Sequence, residues 1–219
     1  DDDIYRFDFE KCTKTIQGFV YDDRTKKPLA NATVRLIDAN GEQHAAFTSN
    51  ADGSYTFENV DCIPSIVMTG EKQDYRPVKL EVSLVNPLTI QDIYLTNLII
   101  DDQIVLKPIY FDFDKSNIRP DAAYELENIV TVMENHPAMV IEIESHTDSR
   151  GNDAYNRELS DRRAKSTRNY LYSRGIAANR IKGAVGYGES QLLNECSNGV
   201  KCSNEEHQLN RRSVFRIVK

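Results

Sequence analysis

The 219-residue chain has no stretch of about 18 consecutive apolar residues, so nothing in it is expected to cross a membrane as a helix. Its longest greasy run, LTIQDIYLTNLII, is broken by polar residues and reads as strands. A basic excess is also lacking: 34 acidic against 27 basic side chains give a formal net charge of −7. Nucleic-acid affinity is driven by phosphate neutralisation, so nucleic acid is not expected as a partner. The imbalance is uneven. Residues 1–97 hold 16 acidic and 10 basic side chains (net −6), and residues 98–219 hold 18 and 17 (net −1), which together give −7. Histidine is scarce. His44, His136, His146 and His207 are scattered, and none sits in a nucleophile or metal motif. His146 and Asp148 would share one strand face, but no Ser or Cys nucleophile stands beside them with a partner of its own. Glu142 and Glu144 read as the solvated face of a strand, not as an acid/base pair. No enzyme is expected. The opening DDDIYRFDFEKC has no initiator Met, basic region or apolar region, so no targeting signal is visible. It reads as a fragment or processed form, and any anchor or export signal would lie upstream. There is no internal repeat and no low-complexity tract.

Cysteine is sparse but even in number. Cys12 and Cys62 fall in one half, Cys196 and Cys202 in the other. A structural zinc site shows a C-x(2–4)-C pair repeated or followed by paired His, and neither pattern occurs. Cys196 and Cys202 close the short loop ECSNGVKC and are expected to form a disulfide, with Cys12–Cys62 as a possible second. Both imply an oxidising compartment. The alternative is four reduced, buried thiols.

At 40% hydrophobic and 28% charged the chain has an ordinary globular composition, and its length suits one or two domains. Residues 1–13 read as an N-terminal extension and 14–97 as an all-β sandwich. IQGFVYD, ATVRLID, HAAFTSN, SYTFENV, SIVMTGE, VKLEVSL and IQDIYLTN are short runs rich in Val, Ile, Thr, Tyr and Phe. They recur about every 8–12 residues with turn formers between them. Asp52-Gly53 predicts a hairpin, because Gly tolerates positive φ. GFVYDDRTKKPLANATVRL, then TSNADGSYTFENV and DYRPVKLEV, resembles the carboxypeptidase regulatory-like domain. Asp74-Tyr75 stands where that family often has Gly-Tyr. The resemblance implies a transthyretin-like sandwich without chemistry of its own, serving as a spacer or a protein-docking module.

Residues 98–219 change pattern. IVLKPIYFDFD reads as a strand. DAAYELENIVTVMENHP places Ala122, Leu126, Ile129, Val130 and Met133 at helical spacing, with Pro137 as the stop. MVIEIESH alternates as a half-buried strand. A second helix is predicted from about Asp153 to Arg174, with Asn152 as N-cap and Gly175 as its C′ residue. IKGAVGYGES starts as a short strand, and NRRSVFRIVK ends the chain as another. The order β-α-β-α-β-β makes an α+β domain with both helices packed on one face of a mixed sheet.

The second helix carries the candidate site. Asn156, Leu159, Ser160 and Arg163 recur at i, i+3, i+4 and i+7 and share one face. Thr147 and Asp148 lie on the polar turn that leads into the helix. A carboxylate and a planar guanidinium then face one pocket, which suits a zwitterion with both an amine and a carboxylate. The competing reading is that Asp148 and Arg163 pair with each other and brace the turn.

HTDSRG…YNRELSDRRA, preceded by IYFDFDKSNIRPDA and followed by GYGES and NRRSVFRIV, resembles the OmpA/Pal/MotB peptidoglycan-binding domain over residues 104–219. That family binds the peptidoglycan stem peptide through diaminopimelate, whose side chain ends in an amino acid. The resemblance implies that Asp148 holds the diaminopimelate ammonium and Arg163 its carboxylate. Asn156, Leu159 and Thr147 would line the pocket. Ser116, Asn117 and Asp114 would contact the stem, with Ile118 at the rim. Arg211 and Arg212 would brace the fold, although Arg211 could approach the ligand. Ser145 replaces the usual Gly before His-Thr-Asp. No cofactor is implied. The expected setting is the periplasm, against the outer membrane and cell wall. Other partners would be envelope or secretion-system proteins, since the module order is similar to PorE-type components of the type IX secretion system. A second possibility is a periplasmic protein–protein scaffold that no longer binds peptidoglycan.

Overall fold

The computed structural model describes residues 12–218 apart from 39, 106–108, 110 and 112–114. The chain divides into two compact units, Asp1–Asn97 and Leu98–Lys219.

The first unit is a β-sandwich. One sheet holds β1 (Thr13–Asp22), β4 (Ser54–Asp61), β6 (Tyr75–Arg76), β8 (Leu88–Ile90) and β9 (Ile93–Asn97), in the order β4-β1-β9-β6 with β8 also paired to β1. The other holds β2 (Thr33–Ile37), β3 (Gln43–Thr48), β5 (Ser65–Glu71) and β7 (Val78–Ser83), in the order β3-β2-β5-β7. Alternation along the strands aims Ile16, Val20, Val34, Leu36, Met68, Ile93 and Leu95 inward, each fully buried. The Asp52-Gly53 turn forms, with Gly53 at φ +82° and the Asp52 carboxylate accepting from the Ser54 amide at 3.0 Å. It is not a hairpin. β3 pairs with β2 and β4 pairs with β1, so the turn carries the chain from one sheet to the other. Turn chemistry sets the local reversal but is blind to which sheet the next strand joins. The Cys12–Cys62 disulfide is formed, flanking the Thr13↔Asp61 end of the β1/β4 ladder.

The second unit opens with a short hairpin, β10 (Ile99–Ile100) and β11 (Gln103–Ile104), turned by Asp101 and Asp102 at φ 50° and 57°. Much of the strand expected over IVLKPIYFDFD lies outside the described residues. Then follow α1 (Pro120–Asn135), β12 (Val140–His146), α2 (Asp153–Ser173), β13 (Ile181–Gly188), α3 (Asn204–Asn210) and β14 (Ser213–Val218). The mixed sheet runs β10-β11-β14-β12-β13, and among these described strands only β12/β13 pair in parallel. Leu126, Ile129 and Met133 of α1, Ala164 and Leu171 of α2, Ile141 and Ile143 of β12 and Phe215 of β14 share one core. Arg180 ties off the end of α1, donating from Nη2 to the Met133 and His136 carbonyls at 2.7 Å each and from Nε to Met139 O at 3.0 Å. α2 lies hard against β13. A Cβ at Gly186 would fall 2.0 Å from the Asp161 nitrogen, so the contact requires glycine. The Ser160 hydroxyl in turn accepts from the Gly188 amide at 2.8 Å.

α3 was not expected. Its capping box, Ser203 with Glu206, is written in the sequence as Ser-x-x-Glu. The strand starting at Ile181 is also longer than expected, and Glu144 is largely covered, its side chain 13% exposed and paired with Arg216 at 2.9 Å.

Candidate functional site

β12 delivers Ser145 and His146 to the edge of the core, and residues 147–151 then turn into α2. Asn152 caps that helix, accepting at Oδ1 from the Ala154 and Tyr155 amides at 2.9 and 3.4 Å. The helix stops at Ser173, and Gly175 sits at φ +92°. The helix and both of its caps therefore follow the sequence expectation.

Asp148 is 6% exposed and Arg163 is 7% exposed. Among the described residues no hydrogen bond or ion pair joins the two. Asp148 Oδ2 accepts from Arg150 Nη2 at 2.9 Å and from Arg211 Nη1, and its Oδ1 accepts from the Arg150 amide at 3.1 Å. Burial alone would raise the Asp148 carboxyl, but the Arg150 and Arg211 hydrogen bonds outweigh it and hold it below the usual carboxylate range. Arg163 donates from Nε to the Lys115 carbonyl at 3.2 Å and lies over the Phe111 ring at 4.8 Å. It thus meets the loop that carries Ser116 (half-buried), Asn117 (exposed) and Ile118, which packs against the core. Asp114 lies outside the described residues.

A cleft of about 340 Å³, counting its open mouth, is lined by Phe111, Ser145, His146, Arg163 and Arg211 among others. Arg211 pairs with Asp148 and lines the same cleft as Arg163. Asn156 works from behind. Its amide donates to the carbonyls of Asp148 (3.3 Å) and Arg150 (3.2 Å) and to Glu189 Oε2 (2.5 Å). Thr147 is buried with its amide on the Gly188 carbonyl at 2.9 Å, and Leu159 is buried on the same helix face. Ser145 belongs to β12 rather than to the turn, and its hydroxyl is 3.0 Å from that of Ser213 on the facing strand.

His146 is buried and stacks on Tyr187 at 5.6 Å. Burial, with Arg212 and Arg216 nearby, pushes its imidazole down to about 4, so it is neutral at neutral pH. Arg212 donates to the Gln191 carbonyl at 3.0 Å. The Cys196–Cys202 disulfide is formed. Sequence reasoning did not nominate Arg150, Ser149 or Glu189. Arg150 was within reach, two residues past Asp148 in the same turn. Glu189 offered no local signal.

A family model described as the OmpA family matches residues 110–206, and the carboxypeptidase regulatory-like domain model matches residues 15–96. The outer membrane porin F of Pseudomonas fluorescens is 46% identical over 83 residues, 38% of this chain and 25% of that protein. The peptidoglycan-associated lipoprotein of Rhizobium meliloti is 38% identical over 106 residues, 48% of this chain and 57% of that protein. Among solved structures, the peptidoglycan-associated lipoprotein from Burkholderia pseudomallei is similar at a TM-score of 0.45 and 26% identity, covering 51% of this chain and 91% of that one. The chain therefore spans a quarter of the porin and a little over half of the Rhizobium lipoprotein.

Proposed function

The chain joins a carboxypeptidase regulatory-like domain to an OmpA-family domain, and from that pairing we propose that it is a non-catalytic anchor to peptidoglycan. The observation that carries this reading is a pair of buried side chains of opposite charge, Arg163 lining an open cleft and Asp148 paired with Arg211, which lines the same cleft. A site that holds a carboxylate and a guanidinium close to one turn suits a ligand that carries both an amine and a carboxylate. The diaminopimelate of a stem peptide does. Its carboxylate would meet Arg163, whose planar fork fits it. Its ammonium would meet Asp148 by exchanging for Arg150, whose side chain is 52% exposed and can swing out to water. Asn156 and Thr147 brace the turn that leads into the helix, and Ser116, Asn117 and Ile118 would border the stem. The name of the similar lipoproteins, peptidoglycan-associated, supports the reading.

Binding of this kind is reversible and tethers to the wall whatever envelope protein or secretion complex the rest of the molecule belongs to. Two disulfides fit a periplasmic setting near the outer membrane. Among the described residues no helix is long and apolar enough to cross a membrane.

One observation favours a second reading. Asp148 already has two cationic partners and needs no ligand to be buried, as in a scaffold that has lost the wall. Calorimetry separates the two. A diaminopimelate stem peptide is expected to bind the whole chain saturably, with loss of binding in both Asp148→Ala and Arg163→Ala and weak binding of a lysine stem. No binding by folded wild type leaves the scaffold.

A further inference from the structure

Beside the Asp148 turn runs the bridged loop of residues 196–202. Residues 197–201 are exposed and have no regular structure, whereas Cys196 is 2% exposed. Buried Ser149 donates its hydroxyl to the Cys196 carbonyl at 2.6 Å. Asn198, at the loop tip, donates its amide to Glu189 Oε1 at 2.6 Å and to Asp153 Oδ1 at 3.3 Å. The other oxygen of Glu189 takes the Asn156 amide, which also holds the Asp148 and Arg150 carbonyls. Arg150 Nη1 reaches Asn204 Oδ1 at 3.1 Å, two residues past Cys202. Two hydrogen-bonded paths thus run from the bridged segment, and a third from Asn204 just beyond it, to the surroundings of one carboxylate. A short exposed loop without regular structure has little of its own to fix it, and the covalent closure removes most of its alternatives.

We propose that the Cys196–Cys202 loop is a positioning element for the binding site, fixing the Asp148 turn through Ser149, Glu189 and Asn198 without itself touching the ligand. Glu189 is the relay. An ionised carboxylate only accepts, so its two oxygens can orient one amide from the loop and one from α2 at once. The effect on ligand affinity rests on the peptidoglycan reading, but the effect on Asp148 itself does not.

The test is a carbon-13 NMR titration of the Asp148 carboxyl in the whole chain, run beside calorimetry with the stem peptide. The charged groups facing that carboxyl are Arg150 from its own turn and Arg211 from the segment after α3. Removing the bridge in Cys196→Ser/Cys202→Ser is expected to move the Asp148 midpoint up towards the ordinary carboxylate value and to weaken stem binding about tenfold, a coupling typical of one hydrogen-bonded network. Glu189→Gln, which can accept only one of the two amides, should move both readouts the same way. Ser149→Ala should give a smaller shift that Ser149→Thr restores. These last variants keep the bridge, so they decide the matter even if the double serine variant does not fold. An Asp148 midpoint unchanged in Glu189→Gln and in the folded double variant would overturn the proposal. Failure of the wild type to bind the stem would remove the peptidoglycan reading alone, and the titration would still decide this one.

Discussion

Ser49 in the sandwich and His146 in the second unit are both buried, on different terms. Ser49 donates to the Leu29 carbonyl at 2.7 Å and accepts from the Ala32 amide at 2.9 Å. Both ring nitrogens of His146 are buried without a partner among the described residues, as are the hydroxyls of Thr147 and Thr167. The contrast is general. Of the fourteen buried polar or charged residues described, the sandwich holds two, Asp22 and Ser49, and the second unit twelve. Asp22 too is matched, accepting from the Thr25 amide and hydroxyl at 2.7 and 2.9 Å. An unmatched buried polar group costs about 1–3 kcal/mol. A module that only has to fold gains nothing from carrying several, whereas a module that recognises a polar ligand does. The difference fits the proposal that recognition belongs to the second unit, with the sandwich as spacer or docking module.

The largest expected effect that would break this contrast is on binding. Arg163→Ala should cost about 2–5 kcal/mol of stem-peptide affinity by calorimetry, because it strands the ligand carboxylate in a partly closed site. The loss should shrink only modestly at high salt, since buried pairs are screened less than exposed ones.

Next is a pH effect. The folded value of His146, about 4, lies below its unfolded value of about 6.5, so the unfolded chain takes up the proton first. The stability contributed by this group is whole above pH 6.5 and falls as the pH drops towards 4, by at most about 3 kcal/mol. Urea melts across that range should show the slope in wild type and lose it in His146→Phe, which keeps the stack on Tyr187. Asp148 acts in a lower window. Its carboxyl is held below the ordinary value when folded, so its contribution is lost only as the pH falls beneath the usual carboxylate range.

Smaller effects sharpen the comparison. Ser49→Ala should destabilise the sandwich by about 1–3 kcal/mol in denaturant melts, because it leaves the Ala32 amide and the Leu29 carbonyl without that partner. Thr167→Val makes the opposite trade, replacing an unmatched buried hydroxyl with a methyl group. It should leave stability unchanged or raise it by up to about 1 kcal/mol.

What the sequence made legible was local. Asn152 as cap, Gly175 as stop, the five apolar positions of α1 and the strand runs of the sandwich each follow from residues within one or two turns of each other. What it hid was pairing at long range. Nothing near Asp148 announces Arg211, 63 residues away, and nothing near Asn156 announces Glu189, 33 residues away. The Asp52-Gly53 turn was readable, but the sheet its second strand joins was not. α3 was written in a capping box and hidden by the turn formers around it. The spacing of Asp148 and Arg163 set one on the turn and one on the helix that follows it, while the partners that hold them are settled by tertiary packing.

The central claim is that recognition resides in one unit and at one turn. The most direct measurement is a proton–nitrogen NMR map of the whole chain titrated with a diaminopimelate stem peptide. The account predicts saturable shifts confined to residues 145–163 and 208–213 and the loop around 115–118, with the sandwich silent. Shifts centred on the sandwich, or no shifts at millimolar peptide, would contradict it.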